Sequence, residues 1–303
     1  MNESAVTFGS QSLVGVLCEP VQTNGIAVIF INAGSTHRCG PNRLYTTLAR
    51  RLAVKACSSL RFDIAGLGDS PAATGLGKFR DYAARQVREA MNYLQTKGYR
   101  HFVIFGLCGG ADIAFDAGAA DERAAGLILA NGAFVDGDAF AALYHKASSK
   151  TTNRFYAARI FSLRRWWRLV TFQSRFWKRF GRRKESSAAQ PSGGQLPCGQ
   201  LPCGQPTADM ASTDSKHKWE TLSRRKTNIL LIYSEGSVFW DIYKTANKNF
   251  LAVHHSADRL SVVFHKNADH TFTLLSTQER LINQIEQWLD AIPTNHNTSW
   301  VFT

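Results

Sequence analysis

A cysteine stands among glycines in "FGLCGGAD", Phe105 to Asp112. An apolar run, His101 to Phe105, precedes it, and Ala-rich sequence follows. A Gly-x-nucleophile-x-Gly turn between a strand and a helix lifts its central side chain clear on a strained bend. Gly106, Gly109, Gly110 and Ala111 are small enough for the backbone to make that bend. A helix N-terminus beneath Cys108 favours a thiolate and a developing oxyanion. On this motif alone, Cys108 reads equally as a small buried apolar residue.

Other residues supply the remaining parts of such a site. "NADHTF" places His270 in a loop between the last strand pattern and the last helix pattern. That gives the chain order nucleophile, acid, histidine. His265 falls inside a strand pattern and reads as structural, while His254, His255 and His296 have no comparable context. An oxyanion hole needs a second N–H from the loop after the first central strand. That loop is "INAGSTHRCGPNR", where Ala33 and Gly34 allow close approach and pair with Gly109. His37, Arg38 and Arg43 lie beside it and suit a substrate carboxylate or phosphate; a solvated loop accounts for them as well.

The acid is the least defined part. Glu235 follows the run "ILLIY", Asp241 lies six residues further on, and Ser237 stands where a Gly-x-x-Asp pattern would put the carboxylate. The reading taken is Glu235, with Asp241 or a Cys–His dyad as alternatives. A thiol depends on its acid less than a hydroxyl does.

These residues need a scaffold that brings distant loops together. "AVTF" and "SLVGVLCE" read as a leading hairpin. Ile26–Ile31, "SSLRFD", "HFVIFGL", "AAGLILANG", "TNILLIYSEG" and "LSVVFHKNAD" read as buried strands. Helical spacing covers Arg43 to Val54, Phe79 to Gln95 and Ser276 to Ala291. Alternating strands and helices predict an α/β class: a mostly parallel sheet with helices on both faces. No strand signal appears from about Phe134 to Arg225. The expected organisation is a core of residues 1–133 and 226–292, an inserted cap at 134–225, and a tail at 293–303.

The quoted motifs, in this order, resemble the α/β-hydrolase superfamily, in particular bacterial serine-aminopeptidase-like and exosortase-associated hydrolases. The residues that carry the resemblance are "NAGSTHRCGPNR" (32–43), "RFDIAGLGDS" (61–70), "GLCGGA" (106–111), "LLIYSEG" (230–236) and "ADHTF" (268–272). The resemblance implies an α/β-hydrolase fold with an inserted helical cap. It also implies ester or thioester hydrolysis, or acyl transfer in a biosynthetic or exopolysaccharide pathway, on a small-molecule acyl substrate. Ser237 departs from the family's acid.

Net charge is +13, yet Arg154 to Lys184 holds 11 Lys/Arg and no acid, leaving 25 basic against 23 acidic residues elsewhere. The basicity therefore belongs to one segment. Within 153–184, Tyr156, Ile160, Leu163, Trp167, Val170 and Trp177 share one helical stripe. Such a helix suits a lid over the site, or peripheral contact with an anionic membrane. No nucleic-acid fold signature accompanies it, and nucleic acid is not an expected partner. "LPCGQ" repeats at 196–200 and 201–205 in a low-complexity linker. The six cysteines show no zinc spacing, and no metal or cofactor motif is present, so none is expected. No leader pattern or long apolar run is seen, and the expected compartment is the reducing cytoplasm.

Overall fold

The computed structural model describes residues 1–72, 75, 77–135, 140, 143–144, 213–246 and 259–292. The chain divides into two compact units, Met1–Ala141 with Ala211–Thr303, and Ala142–Met210. Every strand and helix described below belongs to the first unit. The basic segment 153–184, the linker with Cys198 and Cys203, His254, His255, His296 and the tail 293–303 lie outside the described residues.

Eight strands form one sheet: β1 (Asn2–Phe8), β2 (Leu13–Glu19), β3 (Ile26–Ile31), β4 (Ser58–Phe62), β5 (His101–Leu107), β6 (Ala124–Ala130), β7 (Asn228–Gly236) and β8 (Leu260–Asp269). Their spatial order is β1-β2-β4-β3-β5-β6-β7-β8. The β1–β2 and β2–β4 pairs are antiparallel, and all others are parallel. Every residue of β3 and β4 is buried, as expected for strands covered on both faces.

Helices α1 (Leu44–Val54), α2 (Phe79–Thr96), α3 (Gly109–Ala120), α4 (Thr213–Arg224), α5 (Phe239–Ala246) and α6 (Leu275–Ala291) accompany the sheet. One face carries α1 and α6: Leu44, Leu48 and Leu52 join Leu281, Ile282 and Ile285 over Val28, Phe30, Val103 and Phe105. On the other face, α3 lies so close to β6 that a Cβ on Gly118 would sit 2.5 Å from the Leu127 side chain. Among the described residues, no helix is long and apolar enough to cross a membrane.

Two expectations shift. The helix predicted from Arg43 begins at Leu44, after a short 3-10 turn over Pro41–Arg43. Asn42 and Arg43 take left-handed φ values of 51° and 62°, which break a continuous α-helix there. The inserted segment was expected over 134–225, but both of its edges pack on the core. Phe134 and Trp219 of α4 each meet the Phe115 ring of α3, with centroids 5.3 and 4.6 Å away. Those three rings form an edge of the apolar core that an 11–18-residue periodicity window does not connect across the gap.

Candidate active site

The carboxyl ends of β3, β5, β6, β7 and β8 converge on one edge of the sheet, where α/β proteins place their ligands. Cys108 sits between β5 and α3 with φ 58° and ψ −130°. Glycine permits the tightness of this bend. A Cβ on Gly106 would lie 2.1 Å from the Gly110 carbonyl oxygen, and one on Gly110 would lie 2.6 Å from that of Asn32. The start of α3 therefore touches both its own strand and the loop after β3. The Cys108 N–H donates to the Ala130 carbonyl at 2.9 Å, fixing the turn to the end of β6.

The Cys108 side chain is half-buried and free. Burial pushes its thiol above the ordinary value, the neighbouring Gly109 N–H pulls it back, and the Asp112 carboxylate pushes it further up. Cys18 and Cys57, by contrast, are free but buried.

His270 follows β8 at the expected place. Its Nδ1 lies 3.0 Å from Ser237 Oγ, and the Phe239 ring stacks on it at 5.0 Å between centroids. The imidazole is pushed below its ordinary value by burial, with Asp269 acting weakly the other way. Asp269 itself accepts from the Thr273 N–H at 2.7 Å and the Thr273 hydroxyl at 2.6 Å, bracing the turn. His265 is buried and meets Phe272 edge-on, as a structural histidine does.

Glu235 does not reach this imidazole. The strand β7 continues through Gly236, three residues beyond the apolar run that ends at Tyr233. Side chains alternate along a strand, so Ser234 is buried and Glu235 faces solvent. The Glu235 carboxylate accepts the Asn267 N–H at 2.8 Å, where the β7–β8 register shifts. It ties down a bulge. Asp241 is paired with Lys244 on α5 at 3.0 Å. Ser237, the first residue after β7, takes the acid's position with a hydroxyl.

Gly34 has φ 59°, and among the described residues no atom lies within 4 Å of a Cβ built on it or on Gly109. Both backbones face open space. Ala33 is half-buried against the core, and its carbonyl accepts the Thr36 N–H at 3.1 Å.

Arg38 and His37, expected beside a substrate anion, are engaged with the carboxylates of Asp63 and Asp69. The Arg38 guanidinium bonds Asp63 at 2.5 Å and Asp69 at 2.6 Å, and lies 2.7 Å from His37 Nε2. Asp63 is fully buried and also accepts the Arg38 N–H at 2.7 Å and the Asn32 amide at 2.9 Å. These charges hold the loop after β3 to the end of β4. His37, Asp63 and Asp69 also have the donor set for a cation. The guanidinium already supplies the positive charge among them.

Two residues of the site escape sequence reasoning. Asn131, fully buried with φ 50°, follows β6. Its amide NH₂ donates to Ser234 Oγ at 3.0 Å and to the His270 carbonyl at 2.8 Å, and its carbonyl accepts the Ser234 N–H at 2.9 Å. Asn131 thus clamps the loops of β7 and β8 to β6, and so to the elbow. Asp112, one turn after Cys108, accepts the Phe134 N–H at 2.6 Å. Burial pushes its carboxyl up to about 6, against the pull of Arg80. The only signal for either is a polar residue beside a strand end or elbow.

Arranged so, the edge holds a thiol on a strained turn, an imidazole oriented through Nδ1, and small-residue backbones facing open space. That is equipment for attack on an acyl carbon. The strand order, elbow and histidine loop define an α/β-hydrolase fold, and comparison with solved structures agrees. An esterase from Pyrococcus furiosus aligns over 96% of this chain and 91% of that one, with 13% identity and a TM-score of 0.57. A dienelactone hydrolase from Anabaena variabilis aligns over 97% and 99%, with 14% identity and a TM-score of 0.55. A Butyrivibrio proteoclasticus protein carrying ferulic acid aligns over 95% and 99%, with 11% identity and a TM-score of 0.56. At such identities the likeness is one of fold. No protein-family model matches the chain, and no curated protein matches it by sequence.

Proposed function

We propose that the chain is a hydrolase for an ester or thioester of a small-molecule acyl substrate, working through Cys108 and His270 by way of an acyl-enzyme. The observation that carries this reading is the half-buried Cys108 thiol on a left-handed turn between β5 and α3, on the same sheet edge as a histidine bonded through Nδ1. The esterases and hydrolases among its structural neighbours support the reading.

In the proposed cycle, His270 Nε2 takes the thiol proton as Sγ attacks the carbonyl carbon. The N–H groups at Gly109 and at Ala33 or Gly34 receive the oxyanion. The bond to the leaving group breaks, and a thioester remains on Cys108. Water then attacks that thioester, His270 takes its proton, and the Cys108 thiol is restored with release of the acid. An alcohol, amine or thiol in place of water makes the same intermediate an acyl transferase's, as resemblance to biosynthetic hydrolases implies.

The test is intact-protein mass after exposure to p-nitrophenyl butyrate. Wild type is expected to gain one butyryl group, and Cys108→Ala none. His270→Ala is expected to acylate about 10²- to 10⁴-fold more slowly, the usual worth of a general base. Absence of both adduct and p-nitrophenol release with wild type would sink the reading and favour a non-catalytic binding protein.

A further inference from the structure

We propose that the acyl donor at this site is an activated one, a thioester or an aryl or enol ester whose leaving group departs as an anion, because a serine hydroxyl stands where a carboxylate would support His270. The inference rests on the Cys108–His270 reading and narrows its substrate class.

His270 Nδ1 faces Ser237 Oγ at 3.0 Å, and that hydroxyl also accepts the Phe239 N–H at 3.3 Å. One face of the ring is covered by Phe239. Among the described residues, the nearby carboxylates are turned elsewhere: Glu235 to Asn267, Asp269 to Thr271 and Thr273, Asp241 to Lys244. No carboxylate among the described residues bonds this imidazole. A neutral imidazole is comfortable in that setting. An imidazolium is not, since it would be half-buried with only a neutral acceptor at Nδ1. The depressed basicity of His270 agrees.

The two halves of the reaction need the imidazolium to different degrees. In acylation, Sγ forms a bond to the acyl carbon and the bond to the leaving atom breaks. An alkoxide leaving atom must receive the proton that His270 holds, because its conjugate acid is about as weak as water, with a pKa of roughly 16; an amine leaving atom needs it still more. A thiolate or phenolate, with conjugate acids near about 8.5 and 10, leaves without it. That proton then passes from His270 to solvent or to the departed anion. In deacylation the leaving atom is Cys108 Sγ itself, a thiolate, and His270 acts from its neutral form as base. In deacylation His270 takes the proton of water whatever the donor was, so the serine's cost there is the same for every donor, and only acylation carries a penalty that depends on the leaving group.

The experiment is a leaving-group series of butyrates: p-nitrophenyl, phenyl, S-ethyl thioester, trifluoroethyl and ethyl. For each, kcat/KM and the Cys108 adduct are measured on wild type and Ser237→Asp, and divided by the hydroxide-catalysed rate. Wild type is expected to fall at least about 10³-fold from phenyl to ethyl, with the thioester close to phenyl. Ser237→Asp is expected to recover at least about tenfold on the ethyl ester and to flatten the slope. An ethyl ester consumed by wild type within tenfold of phenyl overturns the proposal. The wild-type series decides alone, so it holds even if Ser237→Asp does not fold. A flat series with Cys108 acylated throughout removes only this inference. Absence of both adduct and turnover with every donor removes the Cys108–His270 reading and this inference with it.

Discussion

Two polar clusters stand at the carboxyl edge of the sheet, and they are built on opposite rules. At the ends of β3 and β4, Arg38, Asp63, Asp69 and His37 are charged or hydrogen-bonded to charge, and Asp63 is fully buried among its partners. At the ends of β5, β7 and β8 stand Cys108 and the hydrogen-bonded pair Ser237 and His270, where burial disfavours both the thiolate and the imidazolium. The first cluster uses charge to hold a loop still. The second, on the proposed reading, holds its proton on the thiol until an acyl group arrives. Titratable side chains in a cleft therefore do not all announce chemistry; the ones already satisfied are holding structure.

The comparison can be broken at either end. Arg38→Met should cause the larger loss, because it strands the buried Asp63 carboxylate. About 3–5 kcal/mol of stability should go, read as a lower urea midpoint at unchanged m. A loss under about 1 kcal/mol would mean the charges are not what holds the loop.

A smaller effect tests the neutrality of the second cluster. The Cys108 thiol is raised by burial and by Asp112, and His270 is lowered by burial. Both shifts favour the uncharged forms in the folded chain. The thiol's contribution to stability is therefore complete below its unfolded value and lost as pH rises through its folded one. The imidazole's is complete above its unfolded value and lost as pH falls through its folded one. Iodoacetamide should alkylate Cys108 about tenfold faster per pH unit from 6 to 8, still rising above pH 9. A rate flat across that range would reveal a preformed thiolate–imidazolium pair.

The smallest effect sharpens the comparison. Glu235→Gln keeps a carbonyl oxygen for the Asn267 N–H and should change ester turnover less than about twofold. A loss of a hundredfold or more would return Glu235 to the triad.

The sequence carries most of this fold openly. Short continuous apolar runs such as Ile26–Ile31 and Phe102–Phe105 read as strands buried on both faces, and Gly34 and Cys108 follow such runs directly. The acid was harder to place because apolarity ends before the strand does. β7 keeps pairing through Ser234 and Gly236 after "ILLIY" has ended, which leaves Glu235 on the strand and Ser237, the position where the Gly-x-x-Asp pattern wants its carboxylate, as the first residue beyond it. Arg38 looks like a free anion holder in sequence because its partners, Asp63 and Asp69, lie 25 and more residues away. Asn131 looks like turn sequence in "ANG", and only the three-dimensional arrangement shows its amide joining β6, β7 and β8.

The φ of 58° at Cys108 also bears on how this chain can change over generations. A side chain in that region costs about 1–3 kcal/mol that glycine would not incur. Lineages that stop needing the thiol gain stability by losing it, in a single codon position's worth of change. Glycine at position 108 would relieve that strain, and it would also remove the thiol on which the proposed reaction depends.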